Sequence, residues 1–333
     1  MSNARDTSET PHTRVAGHGP TNTTPPNPDS NHTRTHASTR TPTHTHLRTR
    51  ASSIITLQTL RTWWRDRSLV DVHGWRVSVL AKLPDSSVAM PPPMLAAIAA
   101  LKLPWKVRDP NSGIVFLLCP PGSCTIGSPS DEEGHKDDET HIICNIKHPF
   151  YLAATVTTQA QWERVTGSNP SVHVGAALPV ENVTVDDCRA FTRACGPNFR
   201  FPHEVEWEYA CRAGSDTPFS HAIYLDADVV NYNGRHPYRD GPHGPDRRHT
   251  VPAGSMPANA WGFHEMHGNV WEWCEAAATR VALANADGET GIPTVMRGGS
   301  WANHAHNCRS ASRITRASDY SRKTAGFRMA RGL

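Results

Sequence analysis

What this chain lacks narrows it first. It has no apolar run of the about eighteen residues that cross a bilayer, since Met94–Leu103 is short and is interrupted by Lys102. The N-terminus, MSNARDTSETPHT, lacks the apolar core of a secretory signal, so a cytoplasmic protein is the expectation. Charge of one sign is lacking too: 34 basic against 31 acidic residues leave +3, too little for a nucleic-acid footprint. None of the 8 cysteines stands in a CxxC spacing, which excludes a thioredoxin-type motif and a cysteine zinc cluster. Without an export signal those thiols are expected to be mostly reduced. Residues 1–50 are Thr, His, Pro, Ser, Asn and Arg with almost no large apolar side chains, too few to offset chain entropy, and read as a disordered tail. Runs such as Thr41-Pro42-Thr43-His44-Thr45-His46 could catch metal, although a solvated linker is the plainer account.

What is there begins with a lead-in segment over 51–104. Ile54, Leu57, Leu60, Trp63 and Trp64 recur at helical spacing, an amphipathic helix over Ile54–Arg65 whose aromatic end must dock on something. Trp75–Leu80 alternates like a strand, and Pro93–Leu101 reads as a short helix with proline at its start. From about Trp105 the chain turns into short strands and turns. Ile114–Leu118 reads as a strand, and Pro120-Pro121-Gly122 turns the chain back through Cys124–Gly127. The acidic run Asp131–Glu139 reads as a solvated loop, or otherwise as part of a surface for a cation or a basic ligand. Helices are expected over Thr157–Val165 and Thr184–Cys195, the second with Asp186 and Asp187 in its first turn, where carboxylates favour the dipole. A third helix is expected over Pro202–Arg212, with Glu204, Glu206 and Glu208 around Trp207 and Tyr209.

The densest stretch is Ala260–Cys274, AWGFHEMHGNVWEWC, with Trp261, Trp271 and Trp273 beside Glu265 and Glu272. Buried indoles need their N–H satisfied, and buried carboxylates need a cation or several donors. A hard cation facing Glu265, Glu272 and intervening carbonyls would satisfy both, because calcium takes six to eight oxygen ligands. A half-buried tryptophan hairpin with its glutamates in water is the other reading.

This stretch resembles the signature of the formylglycine-generating enzyme, or sulfatase-modifying factor, family. Others match that family in the same order: GSCTIGSPSDEEGHKDDE (Gly122–Glu139), PFYLAATVTTQAQWERVTGSNPS (Pro149–Ser171), PVENVTVDDCRAF (Pro179–Phe191), FRFPHEVEWEYACRAG (Phe199–Gly214), MRGGSW (Met296–Trp301), CRSASR (Cys308–Arg313) and GFRMAR (Gly326–Arg331). The resemblance covers about 105–333. It implies a C-type-lectin-like α+β fold, with short strands, few helices and much irregular chain. It also implies structural calcium, bound by the side chains matching Glu265 and Glu272 and the carbonyls matching Gly268 and Val270. A second family calcium site matches Asn231 and Tyr232 in its first half, and its second half falls near Asp246.

Catalytic members of the family resemble Arg-Gly-Gly-Ser followed by a Cys-x4-Cys pair, whose thiolates bind Cu(I) and activate O2 to oxidise a substrate cysteine. Soft thiolates suit that metal. Here Arg297-Gly298-Gly299-Ser300 is intact, but Asn303 stands at the first cysteine position. Cys308 falls on the second when counted from Ser300 and elsewhere when counted back from Gly326-Phe327-Arg328. Either way one thiolate is missing. Beside Arg309, Cys308 is an activated thiol or a buried structural one. No His-x3-His-x-Glu motif of the kind used by the non-haem iron branch is present. His304 and His306 could ligate a metal alone, or are polar loop residues on a ligand-facing surface.

Two functions compete. In the first, the domain is a non-catalytic module binding an unknown protein or small molecule through a C-terminal surface of Trp301, Asn303, His304, His306, Asn307, Ser310, Ser312, Thr315, Asp319 and Tyr320. It then resembles the variable proteins of diversity-generating retroelements. In the second it is a divergent copper-dependent oxidase acting on a sulfatase cysteine through Ser300 and Cys308. The first reading predicts a buried Cys308, exposed Asn303 and His304, and an aromatic anchor at Trp301 or Tyr320.

Overall fold

The computed structural model describes residues 69–276 and 294–333. The Thr/His-rich stretch before residue 50 and the helical spacing over Ile54–Arg65 lie outside the described residues. Strands β1 (Leu69–Val72) and β2 (Trp75–Ala81) meet through a two-residue turn. His73 and Gly74 both have positive φ there, 51° and 76°, the sign that matches the twist of a tight hairpin. Helix α1 (Pro92–Leu101) starts on consecutive prolines, whose φ suits the first turn and whose missing N–H is lost without penalty there.

Strands β3 (Lys106–Arg108), β4 (Val115–Cys119), β5 (Gly122–Ile126), β6 (Ile142–Ile146) and β7 (Phe150–Ala153) follow. Two helices then carry full capping boxes. Thr158 with Gln161 starts α2 (Gln159–Thr166), and Thr184 with Asp187 starts α3 (Val185–Cys195). After β8 (Phe199–Arg200) comes α4 (Glu204–Arg212), the third helix expected from the sequence. The C-terminal part holds β9 (Trp271–Glu275), β10 (Thr294–Arg297), a 3-10 turn (Ala305–Cys308), β11 (Arg313–Arg316), β12 (Ala325–Gly326) and β13 (Ala330–Gly332).

These strands form a seven-stranded sheet in the order β1-β2-β3-β4-β7-β13-β8, a four-stranded sheet in the order β11-β10-β9-β12, and the ribbon β5-β6. The last strand, β13, lies antiparallel between β7 and β8, so the end of the chain completes the larger sheet. The result is a C-type-lectin-like α+β fold with much irregular chain, as expected. Among the described residues no helix is long and apolar enough to cross a membrane.

The segment read as a lead-in behaves otherwise from Leu69 onward. β2 pairs with β3, Ser78 opposite Arg108, so the expected boundary near Trp105 falls inside one sheet. Trp75 explains why. Its indole N–H donates to Asp109 at 3.0 Å, and its ring meets Phe116, Tyr151 and Phe199 edge-on at 5.3–5.6 Å. The Arg331 guanidinium of β13 covers the same ring at 4.7 Å. One side chain thus ties the first hairpin to the last strand. Replacing Trp75 with alanine should lower stability by about 3–5 kcal/mol, measured by urea unfolding. A loss under 1 kcal/mol would show that the hairpin is an appendage.

Candidate functional site

The two carboxylates of the tryptophan-rich stretch have separate fates. Glu272 sits on β9, fully buried between β10 and β12. Arg328 donates to both of its oxygens at 2.6 and 2.8 Å, and the Trp207 indole N–H adds a third bond at 2.7 Å. Glu265 occupies left-handed backbone at φ 48° and accepts from the amides of Gly254 and Met256 at 2.9–3.0 Å. Burial pushes its carboxyl above the ordinary range despite those amides.

Arg328 already neutralises Glu272, and Glu265 is held by main-chain donors. The residues therefore do not fit the calcium arrangement expected on Glu265, Gly268, Val270 and Glu272. Among the described residues no group of three or more His, Cys, Asp or Glu is set to hold a metal.

The Asn231 half of the other expected site is different. The Asn231 side-chain amide donates to the His249 carbonyl at 3.0 Å and to Asn269 Oδ1 at 3.2 Å, which leaves its own Oδ1 buried with no partner. Asp246 is brought near by its bridge to Asn233 and accepts from Arg248 at 3.1 Å. A buried amide oxygen without a donor, beside the Tyr232 main chain, fits a hard cation.

The Arg-Gly-Gly-Ser segment leaves β10. Arg297 is fully buried, ion-paired with Glu208 of α4 and donating to the carbonyls of Ser310 and Ala311. Gly299 must be glycine for two reasons: its φ is 75°, and a Cβ there would lie 2.5 Å from Cys308 Sγ. Ser300 then donates its hydroxyl to Asn303 Oδ1 at 2.6 Å. The residue standing at the first thiolate position is thus engaged with the serine of the motif.

Cys308 closes the 3-10 turn, fully buried, its Sγ donating to the His304 carbonyl at 3.8 Å. Burial pushes its thiol up to about 12. Arg309 does not activate it, because that guanidinium is turned away to Glu132 at 2.6 Å, to both oxygens of Glu139 at 2.8 Å, and to the Gly134 carbonyl. The acidic run Asp131–Glu139 is therefore solvated only in part, with Asp131, Glu133, Asp137 and Asp138 exposed. Glu132 and Glu139 are buried clamps on Arg309, while Asp138 takes Arg313, which also reaches Glu204 of α4. Burial opposes the charge of Glu139, but the Arg309 bonds outweigh it and hold the carboxyl below its ordinary 4.5.

The expected recognition surface is only partly a surface. Ser310 and Ser312 are fully buried, and Trp301 keeps 7% of its area, enclosed by His173 at 5.6 Å and Lys323 at 5.3 Å. These three present little or nothing to a partner; Ser310 is held inside by Arg297, which donates to its carbonyl, and by its own amide bond to the Pro218 carbonyl. Exposed or half-buried are Asn303, His304, His306 and Asn307 in one group and Thr315, Asp319 and Tyr320 in another. His304 stacks on His236 at 3.8 Å and meets His306 edge-on at 5.6 Å. Tyr320 lies between Arg316 and Arg322 and against Trp273.

Sequence reasoning missed His236, since nothing in Asn233–His236 marks it as the neighbour of a segment almost seventy residues on. It also missed His267, buried between Ser220 and the Cys308 carbonyl. The Ser220 amide donates to His267 Nε2 at 3.1 Å, so its Nδ1–H donates to Cys308 at 2.8 Å, and burial lowers its pKa to about 3.

Residues 108–333 match the family model of the sulfatase-modifying factor enzyme 1-like domain. The formylglycine-generating enzyme of Mycobacterium tuberculosis is 32% identical over 191 residues, 51% of this chain and 62% of that protein. The bovine protein named inactive C-alpha-formylglycine-generating enzyme 2 is 29% identical over 186 residues, 52% of this chain and 57% of its own length. The matched part thus spans about three fifths of these relatives. Treponema denticola variable protein 1 has the same fold, with a TM-score of 0.55 at 20% identity, covering 66% of this chain and 95% of that one.

The lowered Glu139 carboxyl sets a pH dependence. A carboxyl depressed by folding contributes stability that is complete above its unfolded value, here near 4.5, and is lost as the pH falls through the folded value. In Glu139→Gln that acid-side loss should shrink, and stability at neutral pH should drop because Arg309 keeps its buried charge. Urea unfolding at several pH values checks both, and an unchanged acid slope would refute the clamp.

Proposed function

This chain belongs to the sulfatase-modifying factor family, and we propose that within it the domain works as a non-catalytic binding module. One observation carries the reading: Asn303, at the position of the first copper thiolate, is hydrogen-bonded to Ser300, while Cys308 is sealed beneath Gly299. Two-coordinate Cu(I) needs a pair of accessible soft ligands, and a single enclosed thiol raised to about 12 is a poor one. The family scaffold is kept while the chemistry it would position is lost. The bovine relative named as inactive, and the fold held in common with a protein named a variable protein, support a family that is not confined to catalysis.

The recognition surface in this reading is the Asn303–Asn307 loop with His236 beside it, together with the Thr315–Tyr320 turn. Burial and the neighbouring imidazoles lower the pKa of His304 and His306, so these two rings meet a partner uncharged near neutral pH. A protein or small molecule offering aromatic faces and hydrogen-bond donors suits such a surface. Calcium is part of the proposal at Asn231 alone, where Oδ1 and the Tyr232 carbonyl would hold it and tie the 231–249 loop to Asn269.

Two measurements test these statements. Cu(I) titrated into the reduced chain should show no tight binding of one ion per chain. Tight binding abolished by Cys308→Ser would overturn the module and restore an oxidase. Calcium at about a hundredfold excess over its Kd should add about 2.7 kcal/mol of stability, and Asn231→Ala should erase the increment. A melting temperature indifferent to calcium and chelator would remove the ion from the proposal.

A further inference from the structure

Of the 8 cysteines, Cys119, Cys188, Cys195, Cys211, Cys274 and Cys308 are buried, and only Cys124 and Cys144 are partly exposed. Those two lie directly opposite each other on the antiparallel ribbon β5-β6. Residues facing each other on such a pair have Cα atoms about 4.5–5.5 Å apart with side chains on one face. A disulfide accepts Cα separations of about 4.4–6.8 Å. The ribbon therefore supplies the geometry of a cross-strand disulfide without moving its backbone.

Access comes from a neighbouring cleft. Cys124 lines a cleft of about 340 Å³ between α1 and α4, shared with Met94, Pro121, Tyr209, Asp216 and Trp261. We propose that Cys124 and Cys144 form a redox site that closes to a disulfide by exchange with a low-molecular-weight disulfide entering this cleft.

The exchange takes two steps. The Cys124 thiolate attacks one sulfur of the incoming disulfide, forms a mixed disulfide, and releases the first small thiolate, which takes up a proton. The Cys144 thiolate then attacks the Cys124 sulfur and displaces the second small thiol. The two protein thiols are oxidised to one disulfide, and the small disulfide is reduced to two thiols, so electrons and protons balance. Burial, and then the Glu208 charge, raise the Cys124 thiol to about 12. At neutral pH the first step is therefore slow, and it quickens with alkalinity.

Closure has a structural consequence. β5 and β6 are the two stems of the loop 127–141, which supplies Glu132 and Glu139 to Arg309 and Asp138 to Arg313. A bond between Cys124 and Cys144 staples the base of that loop. The oxidation state then sets how firmly the segment just after Asn303–Cys308 is anchored.

The test uses the full chain with oxidised glutathione, alkylated and mapped without reduction. One disulfide joining the Cys124 and Cys144 peptides is expected, with the six buried cysteines alkylated only after unfolding. Its rate should rise about tenfold per pH unit between about 7 and 9, as the thiolate fraction does. In Cys144→Ser the mixed disulfide should accumulate on Cys124, and in Cys124→Ser neither species should form. The mapping of the natural chain decides even if a variant folds poorly. A glutathione adduct persisting on Cys124 of the natural chain, a bond between other cysteines, or no reaction at this pair would each overturn the proposal.

Discussion

Four buried guanidiniums hold this molecule together. Arg297, Arg309, Arg313 and Arg328 all belong to the last forty residues, and each is paired with a carboxylate from elsewhere in the chain. Glu204 and Glu208 come from α4, Glu132 and Glu139 from the ribbon loop, and Glu272 from β9. Long irregular segments bury main-chain groups that no ladder satisfies, and arginine can serve several at once through its five donors. Arg309 reaches two carboxylates and two carbonyls, and Arg328 reaches one carboxylate and three carbonyls. Removing either partner of such a pair leaves an uncompensated charge inside, which is why these ties are strict even where their net stabilisation is small.

The same ties decide what the site can do. Arg297 and Arg309 flank the Ser300–Cys308 segment, and their bonds to Glu208 and Glu139 pin both of its ends. Between them Ser300 engages Asn303, Cys308 turns inward beneath Gly299, and His304 is pushed out against His236. A frame this rigid presents small polar and imidazole groups with little ordering left to do, which favours recognition. Cys308 is the one thiol within it. The loop that clamps Arg309 is also the loop whose stems carry Cys124 and Cys144, so anchoring and thiol chemistry meet in one element.

Local features were legible in the sequence because their causes are local. Thr158 with Gln161 and Thr184 with Asp187 satisfy amides within one helical turn, and the alternation over Trp75–Leu80 describes one strand's two faces. The ordered family motifs added the fold and the missing thiolate at Asn303. Tertiary structure alone decided which charges face each other. Arg313 and Glu204 lie 109 residues apart, and Arg309 and Glu132 lie 177 apart. No pattern of spacing shows that Glu132 and Glu139 of the acidic run turn inward, that Ser310 and Ser312 are buried, or that Glu272 meets Arg328. Nor does it show that two cysteines twenty positions apart share one face of a ribbon. Those outcomes follow from which segments pack together, and a buried charge has no preferred partner until packing excludes water around it.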